Sequence, residues 1–297
     1  MTKWNLALRP DRGVIEVSGA DSTKLLQGLV TNDVEKLKDG EAAYAALLTP
    51  QGKILFVFFI YRRAENCFLI DVLRDEAAAL AKRLSMYKLR SEVTIKDVSA
   101  DYTVSTLWAA DNLATPALPD AGAYAFIDPR LPTLGLRILV TLATDWVPGE
   151  MEAHPTTADA YHAHRIALGV PDGGTDFITS EAFPHEAMLD QLHGVDFEKG
   201  CYVGQEVVSR TQHRGTARKR IINVASTQPL PPNGTDIKAG TATVGKLGSV
   251  SGTTGLATLR LDRVAEAQTQ NTPLTADDIE ISISVPAWAT FAVSDFA

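Results

Sequence analysis

The sequence predicts an α+β protein with two parts, a mixed N-terminal part and a small C-terminal β-barrel. Over residues 1–220, runs with the alternation of strands are interspersed with runs whose apolar residues recur every three or four positions, as in helices. Beyond residue 220 the apolar runs are short, rich in β-forming residues and separated by Gly, Pro, Asn and Asp, which is typical of a small barrel. We therefore expect two domains, 1–220 and 221–297. The strands expected in the second domain are 221–225, 241–247, 255–261 and 280–285.

Periodicity and turn residues predict the elements of the first domain. A strand is expected where apolar residues are continuous or alternate, and a helix where they step by three and four after a cap residue. The predicted elements are a strand at 14–17, a turn at 18–22, a helix carrying Leu25, Leu26 and Leu29, a turn at 50–53, a hairpin of 54–61 with 67–72, a helix capped by Asp75 with apolar Ala77, Leu80, Leu84 and Tyr87, strands at 92–98 and 136–142, and a helix capped by Thr157 that stops at Gly169. A loop-rich connection precedes the strand at 136–142 and contains Pro116, Pro119, Pro129 and Pro132.

Length, composition and charge limit the class of protein. The 297 residues, 45% of them hydrophobic, suffice for a substantial core. The formal net charge of -8 repels nucleic acid and anionic membranes overall, so an anionic ligand requires a local basic patch. No run approaches the roughly 20 apolar residues that span a bilayer, and residues 1–10 lack the apolar segment of a secretion signal. We therefore expect a cytoplasmic protein that contacts no membrane and does not bind nucleic acid directly.

Cys201 is the candidate reactive residue. It lies between Gly200 and a helix predicted to start at about Gly204, so its thiol is expected near the positive end of a helix dipole. That dipole and the ammonium group of Lys199 would both stabilise the thiolate, the form in which cysteine reacts. The alternative is a buried cysteine that acts as a small apolar residue. For Cys67, which lies in an apolar run without a neighbouring cation, that alternative is favoured.

A basic run follows Cys201. From Val207 onward, five cations occur without an acidic residue: Arg210, Arg214, Arg218, Lys219 and Arg220. Such a run can hold a carboxylate or a phosphate. The alternative is a solvated face on which the long side chains pack by their stems.

The remaining motifs indicate neither a metal site nor a serine nucleophile. His162 and His164 are two residues apart on a predicted helix and so point to different faces, and the spacing of His185 and His193 is no better. We expect the histidines to lie at the surface. The sequence contains no Gly-x-Ser-x-Gly motif and no P-loop.

Three segments together resemble a known family. They are VSGADSTKLLQGLVTNDVEKL at 17–37, LLTPQGKILFVFFIY at 47–61 and KGCYVGQEVVSRTQHRGTARKR at 199–220. On these segments the chain is identified as a member of the YgfZ-type, folate-binding branch of the T-protein aminomethyltransferase superfamily. The glycine-rich segment at 244–263 resembles the C-terminal barrel of the same family.

The resemblance implies a fold, a cofactor and partners. It implies a folate-binding bowl of mixed α/β subdomains followed by a small β-barrel, tetrahydrofolate as the ligand, and a role in maturing iron-sulfur enzymes, including tRNA-thiolating ones. The expected partners are iron-sulfur client or assembly proteins. On the matching motif, Cys201 is the candidate catalytic residue, and the candidate cofactor-binding residues are Lys199, Gln205, Glu206 and Arg210. For Gln205 and Glu206, a role in capping the helix is an alternative.

The chain departs from the parent enzymes at two places. Where T-proteins carry a pair of aspartates after the glycine turn, this sequence has Phe56 and Val57, and where they carry a pterin-binding glutamate it has Ala167. Apolar side chains can neither accept a proton nor stabilise a cationic intermediate. Our first hypothesis is therefore an accessory factor for iron-sulfur cluster assembly or repair. The alternatives are a tetrahydrofolate-dependent aminomethyl transferase and a binding module without a reactive thiol.

Overall fold

The structure is a computed structural model that describes residues 4–109, 122–143, 153–215 and 217–296. Contacts divide the chain into two compact units, each assembled from separate stretches of sequence. The first unit comprises Met1–Leu48, Phe56–Tyr161 and Leu192–Val203, and the second comprises Thr49–Leu55, His162–Gln191 and Gly204–Ala297. The domain boundary expected near Arg220 stays a prediction. The predicted loop residues Pro116 and Pro119 lie outside the described residues.

Strands outnumber helices in the part of the chain that the structure describes. In chain order the strands are β1 (Trp4–Leu8), β2 (Arg12–Ser18), β3 (Ala42–Leu48), β4 (Ile54–Ala64), β5 (Cys67–Leu73), β6 (Thr94–Asp97), β7 (Tyr102–Ala109), β8 (Ala123–Ile127), β9 (Leu136–Thr141), β10 (Ala153–Thr156), β11 (Lys219–Ala225), β12 (Asp236–Ala239), β13 (Ala242–Ser251), β14 (Thr254–Arg260), β15 (Leu274–Ala276) and β16 (Ile279–Ser284). The α-helices are α1 (Ser22–Gln27), α2 (Arg74–Lys88), α3 (Ala158–Ala167), α4 (Gln205–Arg214) and α5 (Leu261–Thr269). None of these helices is both long and apolar enough to cross a membrane.

The first unit contains two five-stranded sheets. Their strand orders are β3-β4-β5-β2-β6 and β10-β1-β7-β9-β8. The predicted hairpin is confirmed, since β4 and β5 pair antiparallel with Ile60 opposite Ile70. Both residues are fully buried, as expected for a continuous apolar run. Ring contacts between Phe59 of β4 and Phe126 of β8, with centroids 6.2 Å apart, join the two sheets.

The helix α2 covers the first of these sheets. Its predicted apolar stripe is confirmed, because Ala77, Leu80 and Leu84 are buried in the same apolar cluster as the sheet. The predicted cap is wrong, because the helix begins at Arg74 and Asp75 lies within its first turn. A carboxylate in the first turn stabilises the helix through the dipole without bonding to the backbone as a cap does. The predicted cap of α3 is confirmed, since the Ala160 amide donates to Thr157 Oγ1 at 3.2 Å.

The second unit contains the predicted barrel. Six strands close in the order β11-β14-β13-β12-β15-β16. Leu261, expected at the end of a strand, instead begins α5, and it is buried in the barrel's apolar cluster together with Val264 and Ala267. The sequence analysis did not predict α5 or the short strands β12 and β15. Their apolar residues are too few to establish a period without the surrounding barrel.

A buried arginine anchors α3 to the barrel. Arg165 donates to Asp176 Oδ2 at 2.8 Å and to Ser249 Oγ at 2.6 Å, and Asp176 Oδ1 accepts from the Ser249 amide. Gly248 is required beside this network because a Cβ there would lie 2.5 Å from Asp176 Oδ1. Arg165 therefore has a structural function in this part of the chain.

Candidate functional site

The exposed thiol of Cys201 lies in a loop of the first unit that is held at several points. Asp196 organises the loop: its Oδ1 accepts from the amides of Glu198 and Lys199, at 2.8 and 3.0 Å, and its Oδ2 accepts from Lys36 Nζ at 2.7 Å. Next to the thiol, a Cβ added to Gly200 would meet no heavy atom within 4 Å. The backbone beside Cys201 is thus open to a ligand or partner while the loop itself is fixed.

Lys199 is buried and holds this loop from beneath. Its ammonium group donates to the carbonyl oxygens of Gln27, Val30 and Asn32 at 2.9, 2.7 and 2.7 Å, and it lies 5.3 Å from the ring centroid of Tyr202. Burial lowers the pKa of Lys199 to about 8. An ammonium group has three N–H donors, and all three are used here. A direct hydrogen bond from Lys199 to a cofactor or to the Cys201 sulfur would require the loss of one of these bonds.

Two polar side chains after α1 hold the segment that precedes the Cys201 loop. Thr31 Oγ1 donates to the Gly194 carbonyl at 2.6 Å, and Asn32 Nδ2 donates to the His193 carbonyl at 2.6 Å and to the Tyr44 carbonyl at 2.8 Å. Thr31 is fully buried. The turn that follows α1 therefore anchors the segment that leads into the Cys201 loop.

The helix predicted after Cys201 is present, and Gly204 begins it. Gly204 is the N-cap of α4 with a φ of 85°, a left-handed conformation that favours glycine. Glu206 and Arg210 form an ion pair with each other across one turn of α4, and both side chains are exposed. Gln205 is half-buried at the first position of the helix. Lys199 belongs to the first unit and the other three predicted cofactor-binding residues to the second, so their joint role stays a prediction.

The basic run is largely compensated by carboxylates. Arg220 is buried and donates to Asp190 at 2.7 Å and to the His185 carbonyl at 2.7 Å, which makes it structural. The other ion pairs of the run are Arg210 with Glu206, Arg218 with Asp262 and Lys219 with Glu186. Only Arg214 in this run is exposed without a carboxylate within ion-pair distance among the described residues. The local positive charge predicted from the sequence is therefore offset in the folded chain.

The structure confirms one prediction about a single residue and contradicts another. Cys67 is buried, as predicted, and burial raises the pKa of its thiol. His185 is buried, whereas a surface position was expected, because its ring has a hydrogen-bond partner in Gln212 at 2.9 Å. Burial lowers the pKa of His185. Among the described residues no three His, Cys, Asp or Glu side chains are grouped to hold a metal ion.

Sequence analysis missed a cluster of buried arginines in the first unit. Arg12 and Arg137 both donate to the carboxylate of Asp71, at 2.6 and 2.8 Å. Arg137 and Arg130 stack on the ring of Phe59, at 4.0 and 4.9 Å from its centroid. Burial would raise the pKa of Asp71, but the two guanidinium groups hold it below its ordinary value. The available signal was the charge of Arg137 inside an otherwise apolar strand, which requires a buried partner.

Two segments of the chain match known domain families. Residues 11–111 match the GCVT N-terminal domain, and residues 218–291 match the CAF17 C-terminal beta-barrel domain. The whole chain is similar in fold to the crystal structure of the glycine cleavage system aminomethyltransferase T from Bartonella henselae, with a TM-score of 0.77 over 97% of this chain and 87% of that chain. The identity is 16%, so this similarity concerns the fold. The predicted fold class is confirmed.

Curated relatives are named iron-sulfur cluster assembly factor IBA57 homolog, mitochondrial. The protein of Mycosarcoma maydis is 40% identical over 233 residues, which cover 74% of this chain and 56% of the relative. That of Pyricularia oryzae is 34% identical over 293 residues, which cover 89% of this chain and 74% of the relative. The chain spans about half the length of the first of these relatives. The predicted cytoplasmic location is wrong by this comparison, because the relatives are named as mitochondrial proteins.

Proposed function

The chain belongs to the family of the iron-sulfur cluster assembly factor IBA57, and from this premise we propose that it assists the assembly or repair of iron-sulfur clusters through the thiol of Cys201. In this proposal the Cys201 thiol contacts the cluster, its sulfur or a thiol of the partner protein. The cluster is cargo in this proposal. The observation that carries it is an exposed cysteine on a loop that Lys199 and Asp196 hold in place.

The position of Cys201 suits a contact with a partner. The thiol is exposed, Gly200 leaves open space next to it, and the buried Tyr202 follows it. A loop that is already ordered loses little conformational entropy when a partner binds, so contacts made there translate into affinity. The thiol is thereby presented to a partner at little entropic cost.

The number of ligands further supports a shared cluster. An iron-sulfur cluster is held by four protein ligands, usually cysteines. Cys67 is buried, and no group of three His, Cys, Asp or Glu occurs in the described part of the chain. If Cys201 binds a cluster, the other ligands therefore come from the client or assembly protein.

Tetrahydrofolate is a separate part of the proposal, and the fold similarity to the T-protein supports it. The residues predicted to hold it do not fit that role well, because Lys199 donates to three carbonyl groups and Glu206 is paired with Arg210. No step of the proposed chemistry runs through folate. The test is the melting temperature with saturating tetrahydrofolate: at about 100 times its dissociation constant a ligand adds about 2.7 kcal/mol of stability. A constant melting temperature would remove folate from the proposal and leave the role of Cys201 in place.

We make two further proposals, one about the client enzymes and one about aminomethyl transfer. The clients include tRNA-thiolating enzymes, as the resemblance to the YgfZ-type branch implies. Aminomethyl transfer is not the activity, because the two positions at which the resemblance places the aspartates of T-proteins are apolar: Val57 is buried, and Phe56 packs against the apolar cluster that α2 shares with its sheet. A turnover assay that yields methylenetetrahydrofolate at enzyme-like rates would contradict the second point.

The decisive experiment is complementation of a strain that lacks the protein, measured by the activity of its iron-sulfur enzymes. Cys201→Ser is expected to abolish rescue while the melting temperature stays nearly unchanged, because the side chain is exposed. Cys67→Ala is the matched control, since it removes the other thiol and is expected to retain rescue. Full rescue by Cys201→Ser would refute the proposed role of this thiol.

A further inference from the structure

A groove of about 860 Å³ lies in the first unit between α1 and the C-terminal end of α2. Leu25, Leu29 and Tyr87, all at least half-buried, contribute its apolar lining, and Lys24, Leu89 and Arg90 are exposed at it. The rest of the lining is Gly28, Ser91 and Asp21, whose carboxylate accepts from the Glu92 amide at 2.8 Å. Neither the resemblance nor the proposed role of Cys201 uses this groove.

Cations cluster around the groove, and two of them, Lys24 and Arg90, line it. Residues 82–90 read KRLSMYKLR, with four cations and no acidic residue, and Lys24 of α1 adds a fifth. Among the residues that the structure describes, no carboxylate lies within ion-pair distance of Lys82, Arg83, Lys88, Arg90 or Lys24. In the run that follows Cys201, four of the five cations have such a carboxylate. On a chain of net charge -8, this is a local reversal of sign.

Large apolar side chains are exposed at the C-terminal end of α2, and one of them, Leu89, lines the groove. The relative exposure is 63% for Met86 and 89% for Leu89. Leu89, the residue after α2, has a φ of 45° and a ψ of -105°, a conformation that favours glycine and is strained for leucine. The leucine side chain gains no burial within the chain itself. Its strain and exposure together point to a contact made outside the chain.

The groove shares a helix with the loop of Cys201. Lys24 and Leu25 of α1 line the groove, and the carbonyl of Gln27 at the end of α1 accepts from Lys199. A partner seated in the groove would therefore bind to the element on which the Cys201 loop is anchored.

We propose that this groove docks an acidic segment of a partner protein, one that places a large apolar side chain between carboxylates. Lys24 and Arg90 would receive the carboxylates, and Leu25, Tyr87 and Leu89 would receive the apolar side chain. A single-stranded nucleic acid would require several exposed aromatic rings for stacking, and Tyr87 is the one aromatic residue that lines the groove. A lipid surface would be met by a protruding apolar ridge, whereas this site is concave. That the partner is an iron-sulfur protein rests on the proposed function.

The test uses the full chain and a labelled synthetic peptide of twelve residues with one central leucine flanked by glutamates, followed by fluorescence anisotropy. Saturable binding is expected for this peptide and none for the same peptide with lysine in place of each glutamate. The variant Lys24→Glu/Arg90→Glu is expected to bind at least tenfold more weakly. The control Lys38→Glu/Lys238→Glu carries the same change in net charge on two exposed lysines elsewhere, and it should stay within twofold of the unmodified chain.

A second variant separates docking from folding. Leu89→Gly relieves the backbone strain, so its melting temperature should not fall, yet its peptide affinity is expected to drop at least fivefold. Equal binding of the glutamate and lysine peptides, or binding by Lys24→Glu/Arg90→Glu within twofold of the unmodified chain, would overturn the proposal. The proposal would also be overturned if the acidic peptide showed no saturable binding while the chain bound anionic phosphatidylserine vesicles or single-stranded RNA, and if Lys24→Glu/Arg90→Glu abolished that binding.

The outcome can be told apart from a failure of the proposed function. Cys201→Ser tests that function alone and is expected to bind the peptide with unchanged affinity. Suppose that Lys24→Glu/Arg90→Glu binds no peptide but fully restores iron-sulfur enzyme activity in cells. That result would refute the link between the groove and the client protein and leave the role of Cys201 intact.

Discussion

The ammonium nitrogen of Lys199 lies 2.7 Å from the carbonyl oxygen of Val30, a residue 169 positions earlier in the chain. With the bonds to Gln27 and Asn32, this contact ties the loop of Cys201 to the turn that follows α1. The exposed thiol is therefore positioned by a buried cation. Lys199 acts on Cys201 through the backbone, which differs from the electrostatic role that its place in the sequence suggested.

The first prediction is that Lys199→Met destabilises the fold by about 3 kcal/mol, because buried carbonyl groups lose their donors. Urea denaturation of both proteins measures the difference. The matched control is Lys36→Met, which removes an exposed ammonium group from Asp196 in the same loop and should have a much smaller effect. Equal losses for the two variants would contradict the structural role of Lys199.

The second prediction concerns thiol accessibility. In the native protein, iodoacetamide is expected to modify Cys201 and to leave Cys67 unmodified until the chain is unfolded, because Cys201 is exposed and Cys67 is buried. Peptide mapping after partial reaction identifies the modified site. Modification of Cys67 at a similar rate in the folded protein would be inconsistent with the packing described for β5.

The third prediction is that Asp71→Asn costs about 3–5 kcal/mol, since it leaves Arg12 and Arg137 buried without a full counter-charge. The unfolding free energy from denaturant titration measures it. Asp39→Asn is the control, because Asp39 pairs with Arg62 at an exposed site and should contribute at most about 1 kcal/mol. A loss for Asp71→Asn as small as that of the control would contradict the buried network.

The fourth prediction is a dependence of stability on pH that is due to His185. Burial lowers the pKa of His185 below the ordinary value of 6.5, so the unfolded chain binds a proton more readily than the folded chain. The contribution of His185 to the free energy of unfolding is therefore fully present above pH 6.5, and it is lost as the pH falls below 6.5 through the lower pKa of the folded state. Unfolding curves between pH 7.5 and about 5 should show the loss, and His185→Gln should show less of it. An unchanged slope in the variant would assign the effect to other groups.

The fifth prediction concerns the proposed boundary near Arg220. Brief trypsin treatment is expected to cut after the exposed Arg214 or Arg218, between α4 and β11. The two fragments should separate on a denaturing gel and elute together under native conditions, because Arg165 and Ser249 lie on opposite sides of the cut and are joined by a buried hydrogen bond. Separate elution of the fragments would instead support a barrel that is independent of the preceding residues.

Elements whose signal is local could be predicted from the sequence. The hairpin of β4 and β5, the apolar stripe of α2 and a small barrel after residue 220 were predicted because alternation, helical spacing and turn residues act over a few positions. The opposite environments of Cys67 and Cys201 were predicted for the same reason, since an apolar run buries one thiol and a glycine-rich turn exposes the other.

Which cations have a carboxylate partner became evident only from the tertiary structure. Arg220 looked like part of an anion site and is paired with Asp190, 30 residues away, while Lys199 looked like a neighbour of a thiolate and instead donates to carbonyl groups about 170 residues away. Residues 82–90 and the run after Cys201 are both rich in cations, yet among the described residues the cations of the first run have no carboxylate within ion-pair distance, whereas four of the five in the second do. A charged side chain is neutralised by whatever the fold brings within about 4 Å, and that partner carries no mark in the residues next to it in the sequence.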